Sequence, residues 1–261
     1  INLPDEMALS FYGTDIDLSV LQGFLPQADM SGRIGIQGSV SGPMGNPLVQ
    51  VDFAAVDGEL FQQPYTTLQG SASGSLDGVG IDYFSLKNDG KETWQVHGSI
   101  GFTGEKRLNL RVDTLGARME DIAALIAPDQ PITGNVDNVI TLTGSLDNPE
   151  AVGYIHFYRG SYHGILILGM DGDYKVHDGI TTLHNFHIYA PLVDMDLNGT
   201  IDGAHNLDMV VAAHDVDVNR VGGRLPYPIS GHGVFAGKIS GTLSAPLFAG
   251  QLQSEEMVFN G

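Results

Sequence analysis

The same short pattern of glycine and proline occurs three times in this chain at a nearly constant spacing. Gly42, Gly144 and Gly241 each stand five residues before a proline and ten residues after another glycine. The copies lie 102 and then 97 residues apart. A fixed period of this kind is the signature of a repeat architecture, and it constrains the fold more than any single motif does.

Other matches between the copies keep the same order along the chain. Gly70 corresponds to Gly172, and Phe84 corresponds to Phe186. The series predicts complete repeat units at 32–133 and 134–230, with 1–31 as the tail of a preceding unit and 231–261 as the start of a further one. The chain begins with Ile1 rather than Met, so we expect it to be a fragment of a longer protein.

Within each unit, apolar and polar residues alternate over one short segment after another, as in Leu48–Val56. A period of two is typical of strands with one dry and one wet face. Asp–Gly pairs at 57–58, 77–78, 89–90, 171–172, 178–179 and 202–203 predict turns between the strands. Met119–Ala127 has helical spacing and ends before Pro128. The prediction is an all-β fold, an elongated repetitive sheet with one short helix in each unit of about 100 residues.

The charge balance excludes several classes of function. Thirty-one acidic residues face twelve basic ones, which gives a formal charge of −19. Nucleic-acid binding requires a basic surface, so we expect no nucleic-acid partner. The chain has no cysteine, and its longest apolar run, Gly164–Met170, is far shorter than the ~20 residues of a membrane helix.

The candidate metal and catalytic motifs are weak. Asp194–Gly199 resembles the start of a calcium loop, but His205 stands where the loop requires glutamate. His184 and His187, with His177 nearby, have a chelating spacing on a helix, whereas on the predicted strand they point to opposite faces. No nucleophile motif is present. We therefore expect no enzyme activity, no metal and no cofactor.

Apolar residues at alternate strand positions form a continuous stripe. Either this stripe is the core of a sandwich or β-helix, or it lines a groove that an apolar ligand occupies. The residues predicted to line such a groove are Val49, Val51, Phe53, Phe84, Leu86, Val96, Ile100, Leu108, Leu110, Val112, Ile140, Leu142, Ile155, Phe157, Phe186, Ile188, Val193, Met195, Leu197, Leu207, Met209 and Val211.

The order of these motifs resembles the repeats of the TamB (translocation and assembly module) and AsmA-like family. The shared order is an amphipathic segment, proline, glycine, a strand, a Gly–Pro turn as in Leu142–Pro149, another strand, and a strand ending in "GSI" or "GTI". The resemblance covers essentially the whole chain. It implies an open, solenoid-like curled sheet called a β-taco, whose inner groove carries phospholipid across the periplasm of a diderm bacterium.

The same resemblance implies the partners. They are phospholipid acyl chains, an outer-membrane barrel protein of the TamA/BamA type, and a remainder of the chain anchored in the inner membrane. Three hypotheses stay open: a lipid-conducting groove, a scaffold for outer-membrane β-barrel assembly and secretion, and a surface adhesin or carbohydrate-active solenoid. Aliphatic inward positions such as Ile140 and Leu197, together with a single Trp, favour the first.

Overall fold

The computed structural model describes residues 6–23, 30–60, 63–126, 131–191, 193–218, 229–254 and 258–259. A 3-10 helix spans Leu18–Gly23, and helix α1 spans Met119–Ile126. The strands are β1 (Glu6–Asp17), β2 (Met30–Pro43), β3 (Leu48–Leu60), β4 (Gln63–Ser75), β5 (Gly78–Asn88), β6 (Lys91–Gly101), β7 (Arg107–Arg118), β8 (Ile132–Ser145), β9 (Pro149–Tyr162), β10 (Ile165–His177), β11 (Ile180–Ala190), β12 (Val193–Ile201), β13 (Leu207–Asp217), β14 (Ile229–Ser230), β15 (His232–Thr242), β16 (Ala245–Gln253) and β17 (Val258–Phe259).

Fifteen of these strands form one antiparallel sheet, in which each strand lies beside its neighbour in the chain. The order runs from β1 to β13 and continues with β15 and β16, while β14 and β17 pair separately. Consecutive antiparallel strands need only short turns, which agrees with the frequent Gly and Asp between the apolar segments. The prediction of an all-β fold is confirmed.

The helix prediction holds for α1, and Ala127 lies outside the described residues. The 3-10 helix at Leu18–Gly23 lies at the equivalent place in residues 1–31, the predicted tail of a preceding unit. The corresponding segment at the end of the unit 134–230 begins near Val218, which has a helical backbone. Residues 219–228 lie outside the described part of the chain. Within the described residues an α-helix is established only at α1, so the prediction of one helix in each unit is not confirmed.

Two of the predicted turns are wrong. The Asp–Gly pair 57–58 lies inside β3, and the pair 171–172 lies inside β10. Asp57 has a positive φ of 50°, and the register of β2 with β3 shifts beside it, so this pair forms a β-bulge. Gly172 continues the strand, and the ring of Phe186 lies against it. This contact leaves no room for a side chain at position 172, which explains why glycine stands there.

The chain divides into two compact units, each with its own hydrophobic core. Unit 1 comprises 1–117, 121–127 and 137–150, and unit 2 comprises 118–120, 128–136 and 151–261. The core of unit 1 gathers Leu18, Ile34, Ala55, Leu68 and Leu86, among others. The core of unit 2 comes entirely from β11, β12, β13 and β15, and its members are Phe186, Leu197, Leu207, Met209, Val211 and Ile239.

Strand register places the apolar residues of each unit on one face of the sheet. In unit 1 one row of register partners crosses seven strands: Leu9, Val40, Val49, Gly74, Val79, Ile100 and Leu108. In unit 2 a row of register partners likewise crosses seven strands: Phe157, Met170, Ile188, Met195, Ala213, Phe235 and Leu252. We call this surface of each unit its apolar face and the opposite surface its polar face.

Aromatic rings cover glycines on the apolar face. The ring of Phe53 lies over Gly70, and the ring of Phe186 lies over the equivalent Gly172. Phe157, which is fully buried, covers both Gly134 and Gly160. Glycine leaves a gap in a strand, and a cross-strand aromatic ring fills it while pinning the register.

We expect Gly172→Ala to destabilise the protein by about 1–3 kcal/mol, because the new methyl group overpacks the core. A Cβ at Gly172 would lie 2.7 Å from Cγ and 2.8 Å from Cα of Phe186. Urea unfolding measures the loss. The matched control is Gly169→Ala in the same strand, where only the Phe157 carbonyl oxygen lies near, at 3.9 Å. Equal losses in the two variants would contradict the covering role of Phe186.

Candidate functional site

The predicted lining residues of unit 1 share its apolar face. Cross-strand partners in an antiparallel sheet lie on the same side, so their register identifies the face. One row contains Phe53, Gly70, Phe84, Val96 and Val112. The adjacent positions Val49, Val51, Leu86, Ile100, Leu108 and Leu110 follow by alternation along the same strands.

Unit 2 groups its predicted lining residues in the same way. Phe157 and Ile155 on β9 pair with Met170 and Gly172 on β10. The remaining members lie on β11, β12 and β13 in register with one another: Phe186, Ile188, Val193, Met195, Leu197, Leu207, Met209 and Val211. The last two predicted lining residues, Ile140 and Leu142, belong to unit 1, where they alternate on β8 and are half-buried.

The burial of this set differs from that of an ordinary core. The buried members are Leu86, Phe157, Phe186, Leu197, Leu207, Met209 and Val211. Val49 is exposed, and the others are half-buried. Most of the apolar face therefore keeps partial contact with solvent, which costs ~25 cal/mol for each Å² left in water.

An apolar recess of about 430 Å³ lies on the apolar face of unit 1, at the turn ends of β3, β4 and β5. Val49, Val51, Ala72 and Val79 line it, with Leu76 and Phe102 at its margin. Binding sites for small ligands commonly have volumes of ≈300–1,000 Å³ and mostly apolar walls.

Sequence analysis missed several contributors to the apolar face and the recess. Leu76 and Phe102 lie beyond strand ends, so alternation does not reach them, although an apolar residue in a turn is itself a signal. Trp94, Met170 and Phe235 also belong to the apolar face by register.

The polar face of unit 2 carries a ladder of histidine and aspartate side chains across neighbouring strands. His156 Nδ1 lies 3.4 Å from Asp171 Oδ1, and His187 Nδ1 donates to Asp196 Oδ1 at 2.9 Å. His214 Nε2 donates to the other Asp196 oxygen at 2.6 Å. These residues, which we call the His–Asp ladder, join β9 to β13.

The ladder shifts the ionisation of its central pair. The hydrogen bond from His187 to Asp196 raises the pKa of His187 above its usual value. Hydrogen bonds from His214 and then His187 lower the pKa of Asp196. Both side chains stay close to solvent, so salt screens the attraction between them.

The structure corrects the prediction that His184 and His187 point to opposite faces. Their register partners are Asp173 and Asp171, which lie two residues apart on one face of β10. A bulge at Asn185, whose φ is 51°, adds one residue and brings both histidines to the polar face. Across the described residues, no group of three or more metal-ligating side chains is placed to hold an ion.

Comparison with known proteins finds no matching family model, no similar curated protein and no similar solved structure. Among the helices that the structure describes, none has the length and apolar character needed to cross a bilayer.

We expect the stability of unit 2 to fall as pH rises from 6 to 8. Because the pKa of His187 is higher in the folded state, its contribution is complete below its ordinary value of 6.5 and is lost as pH rises through the raised value. Urea unfolding at several pH values measures the slope. His187→Gln should flatten it, whereas His163→Gln, at a turn outside the ladder, should leave it unchanged. An unaltered slope in His187→Gln would contradict this assignment.

Proposed function

We propose that this chain is a periplasmic segment of an inter-membrane lipid-transport protein, and that its apolar face shields phospholipid acyl chains. The observation that supports the proposal most is the apolar face itself, which follows the register through seven strands of each unit. Its side chains are mostly half-buried rather than sealed from water. A continuous apolar strip of this kind suits a long, flexible apolar ligand.

Acyl chains match this surface energetically. Each buried CH₂ group contributes ≈0.8 kcal/mol, so one lipid tail gains on the order of 10 kcal/mol when it leaves water. The recess beside Val49 and Val51 adds a concave seat within unit 1. No titratable side chain is part of its lining, so an uncharged tail meets no desolvated charge there.

In this proposal the sheet curls around its apolar face to form the β-taco of the TamB and AsmA-like family. The remainder of the protein then anchors the segment in the inner membrane, and an outer-membrane barrel protein of the TamA/BamA type receives it at the far side. The polar face meets the periplasm, and its charged rows keep the segment soluble. The function requires neither a catalytic residue nor a cofactor.

The central test is photocrosslinking, in cells, from neighbouring residues on opposite faces. Leu110 is half-buried on the apolar face, whereas the adjacent Asn109 is exposed on the polar face. A photoreactive residue at position 110 should crosslink phospholipid, and the same residue at 109 should not. Equal lipid labelling from both positions, or labelling of protein alone, would overturn the proposal.

Leu110→Arg should reduce co-purified phospholipid several-fold, because a guanidinium on the apolar face is costly beside an acyl chain. Mass spectrometry of lipids extracted from the purified protein measures the change. Asn109→Arg is the matched control, since it adds the same charge one residue away on the polar face. Leu197 is a poorer choice because it is buried in the core of unit 2. A similar lipid content in both arginine variants would contradict the assignment of the faces.

A second candidate function, a scaffold for outer-membrane β-barrel assembly, is favoured by one specific observation. Strand β16 is the last strand in the order of the sheet, and nearly all of its residues are exposed. Its nine residues, Ala245–Gln253, include no charged side chain. An exposed strand without charges suits pairing with a further strand, which in the scaffold function comes from an assembling barrel protein rather than from the next repeat unit.

Lysine at Ala249 and Gln251 should therefore abolish co-purification of the barrel partner if the scaffold function operates, because edge charges oppose strand addition. Pull-down from membranes followed by immunoblotting measures the loss. Gln95→Lys, which places the charge on the interior strand β6, is the control. Retained partner binding in the edge variants would exclude β16 as the assembly edge.

A further inference from the structure

A row of exposed apolar side chains follows one edge of the sheet in unit 1. The turns that join β2 to β3, β4 to β5, β6 to β7 and β8 to β9 all lie at this edge, because consecutive strands are antiparallel neighbours. Each turn carries one large apolar residue, and we call the four the hairpin rim: Met44, Leu76, Phe102 and Leu146. Their exposed fractions lie between 42% for Leu146 and 66% for Leu76. Apolar side chains exposed together in this way mark an interaction surface.

Hydrogen bonds between neighbouring turns fix the backbone of the hairpin rim. The amide of Leu76 donates to Asn46 Oδ1 at 3.0 Å, and the amide of Phe102 donates to the carbonyl oxygen of Asp77 at 2.8 Å. The amide of Leu146 donates in the same way, at 2.9 Å, to the turn between β6 and β7. Each acceptor belongs to the preceding hairpin, so the tips lie side by side. An unpaired amide is costly in an apolar phase, and these three amides are paired.

The second repeat unit shows that the fold does not require such a row. At the positions equivalent to Leu76 and Phe102, unit 2 has Asp178 and Gly203. The large apolar turn residue of unit 2 at this edge, Leu243, packs against the core of its own unit. The continuous exposed row is therefore a property of unit 1.

The dimensions of the hairpin rim disfavour a protein partner. Neighbouring tips are two strands apart, about 9.6 Å, so the four tips span about 29 Å. A stable protein interface buries ≈800 Å² on each partner, and a strip of this length would have to be about 28 Å wide to supply that area. The hairpin rim is one side chain wide. A bilayer requires no matching surface and accepts apolar side chains that project from a narrow edge.

The charge at the hairpin rim favours a neutral lipid surface. The four turns contain three acidic side chains and one basic one, and the acidic Glu105 pairs with Arg107 at the start of β7. Anionic lipids attract clusters of lysine and arginine, whereas this chain has a formal charge of −19. Attraction to a bilayer therefore has to come from the apolar side chains themselves.

We propose that the hairpin rim is a membrane-docking surface, which inserts its four apolar side chains into the headgroup region of an electrically neutral phospholipid bilayer. The paired amides allow the tips to leave water, and the polar residues of the same turns stay at the interface. This docking goes beyond the lipid-binding function proposed for the apolar face and does not depend on it.

The test uses the absence of cysteine from the natural chain. An environment-sensitive fluorophore is attached to Leu146→Cys, and the protein is mixed with phosphatidylcholine vesicles. We expect a blue shift, and quenching by lipids with brominated acyl chains. The matched control is Leu115→Cys, because Leu115 is also exposed in unit 1 but lies near the opposite end of β7. No shift at 146, or an equal shift at both positions, would overturn the proposal.

Serine variants measure the contribution of the hairpin rim to binding. The double variant Met44→Ser, Leu146→Ser should weaken binding to phosphatidylcholine vesicles about tenfold, because two apolar side chains no longer leave water. Vesicle flotation measures the affinity. Leu115→Ser should keep the original affinity. Equal affinities in the double variant and the control would contradict the docking surface.

Two further results separate this docking from the function of the apolar face. Leu110→Arg should lower co-purified phospholipid but keep vesicle binding, whereas the double serine variant should do the reverse. Loss of vesicle binding in Leu110→Arg alone would place the membrane contact on the apolar face and overturn the hairpin rim.

Lipid composition tests the neutral character of the partner. Vesicles that contain phosphatidylglycerol should bind more weakly at low salt, because both surfaces are negative, and added salt should remove the difference. Tighter binding to phosphatidylglycerol would contradict a neutral partner. Capture of a protein through the hairpin rim, without any vesicle binding, would assign this edge to a protein partner and overturn the proposal.

Discussion

The strict period of two across the strands is the constraint on which the rest of the structure depends. A shift of one residue would move every following side chain to the other face. The chain does add single residues, between Gly13 and Ile16 and again between Ile81 and Phe84, and each addition is a register shift. In both places the spacing between successive residues on the apolar face lengthens from two positions to three at the bulge. The apolar face therefore continues without interruption, because the sequence pattern and the bulge change together.

Contacts between glycines and aromatic rings are a second constraint on the structure. The inward glycines Gly70 and Gly172 stay in place because a ring from a neighbouring strand fills the space above each one. The ring comes from β3 in one unit and from β11 in the other, since Phe53 is replaced by Ile155 while Phe84 and Phe186 are equivalent. The repeat thus conserves the filled volume between strands rather than a particular contact, as close packing requires.

Sequence reasoning predicted the strands and the apolar face well, because alternation is a local signal. It failed where the outcome depends on pairing. Asp57 and Gly172 were predicted to lie in turns, although strand hydrogen bonds continue past both. The positions of His184 and His187 were also wrong, since a bulge at Asn185 changes the side to which one of them points. The His–Asp ladder joins residues on five strands, so only the register reveals it.

Comparison of equivalent positions separates what the repeat preserves from what it leaves free to vary. On the apolar face, Phe84 and Leu86 become Phe186 and Ile188.

On the polar face the same strands change in chemical character: Ser85 becomes His187 and Gln69 becomes Asp171. In unit 1 the polar face carries the pair of Arg111 with Asp113, and His97 lies beside the same carboxylate, with 3.9 Å between Nε2 and Oδ2. The apolar face must stay uniform if it binds one apolar ligand along its whole length, as we propose. The polar face has no such requirement, and a single unit can therefore acquire the His–Asp ladder without disturbing the repeat.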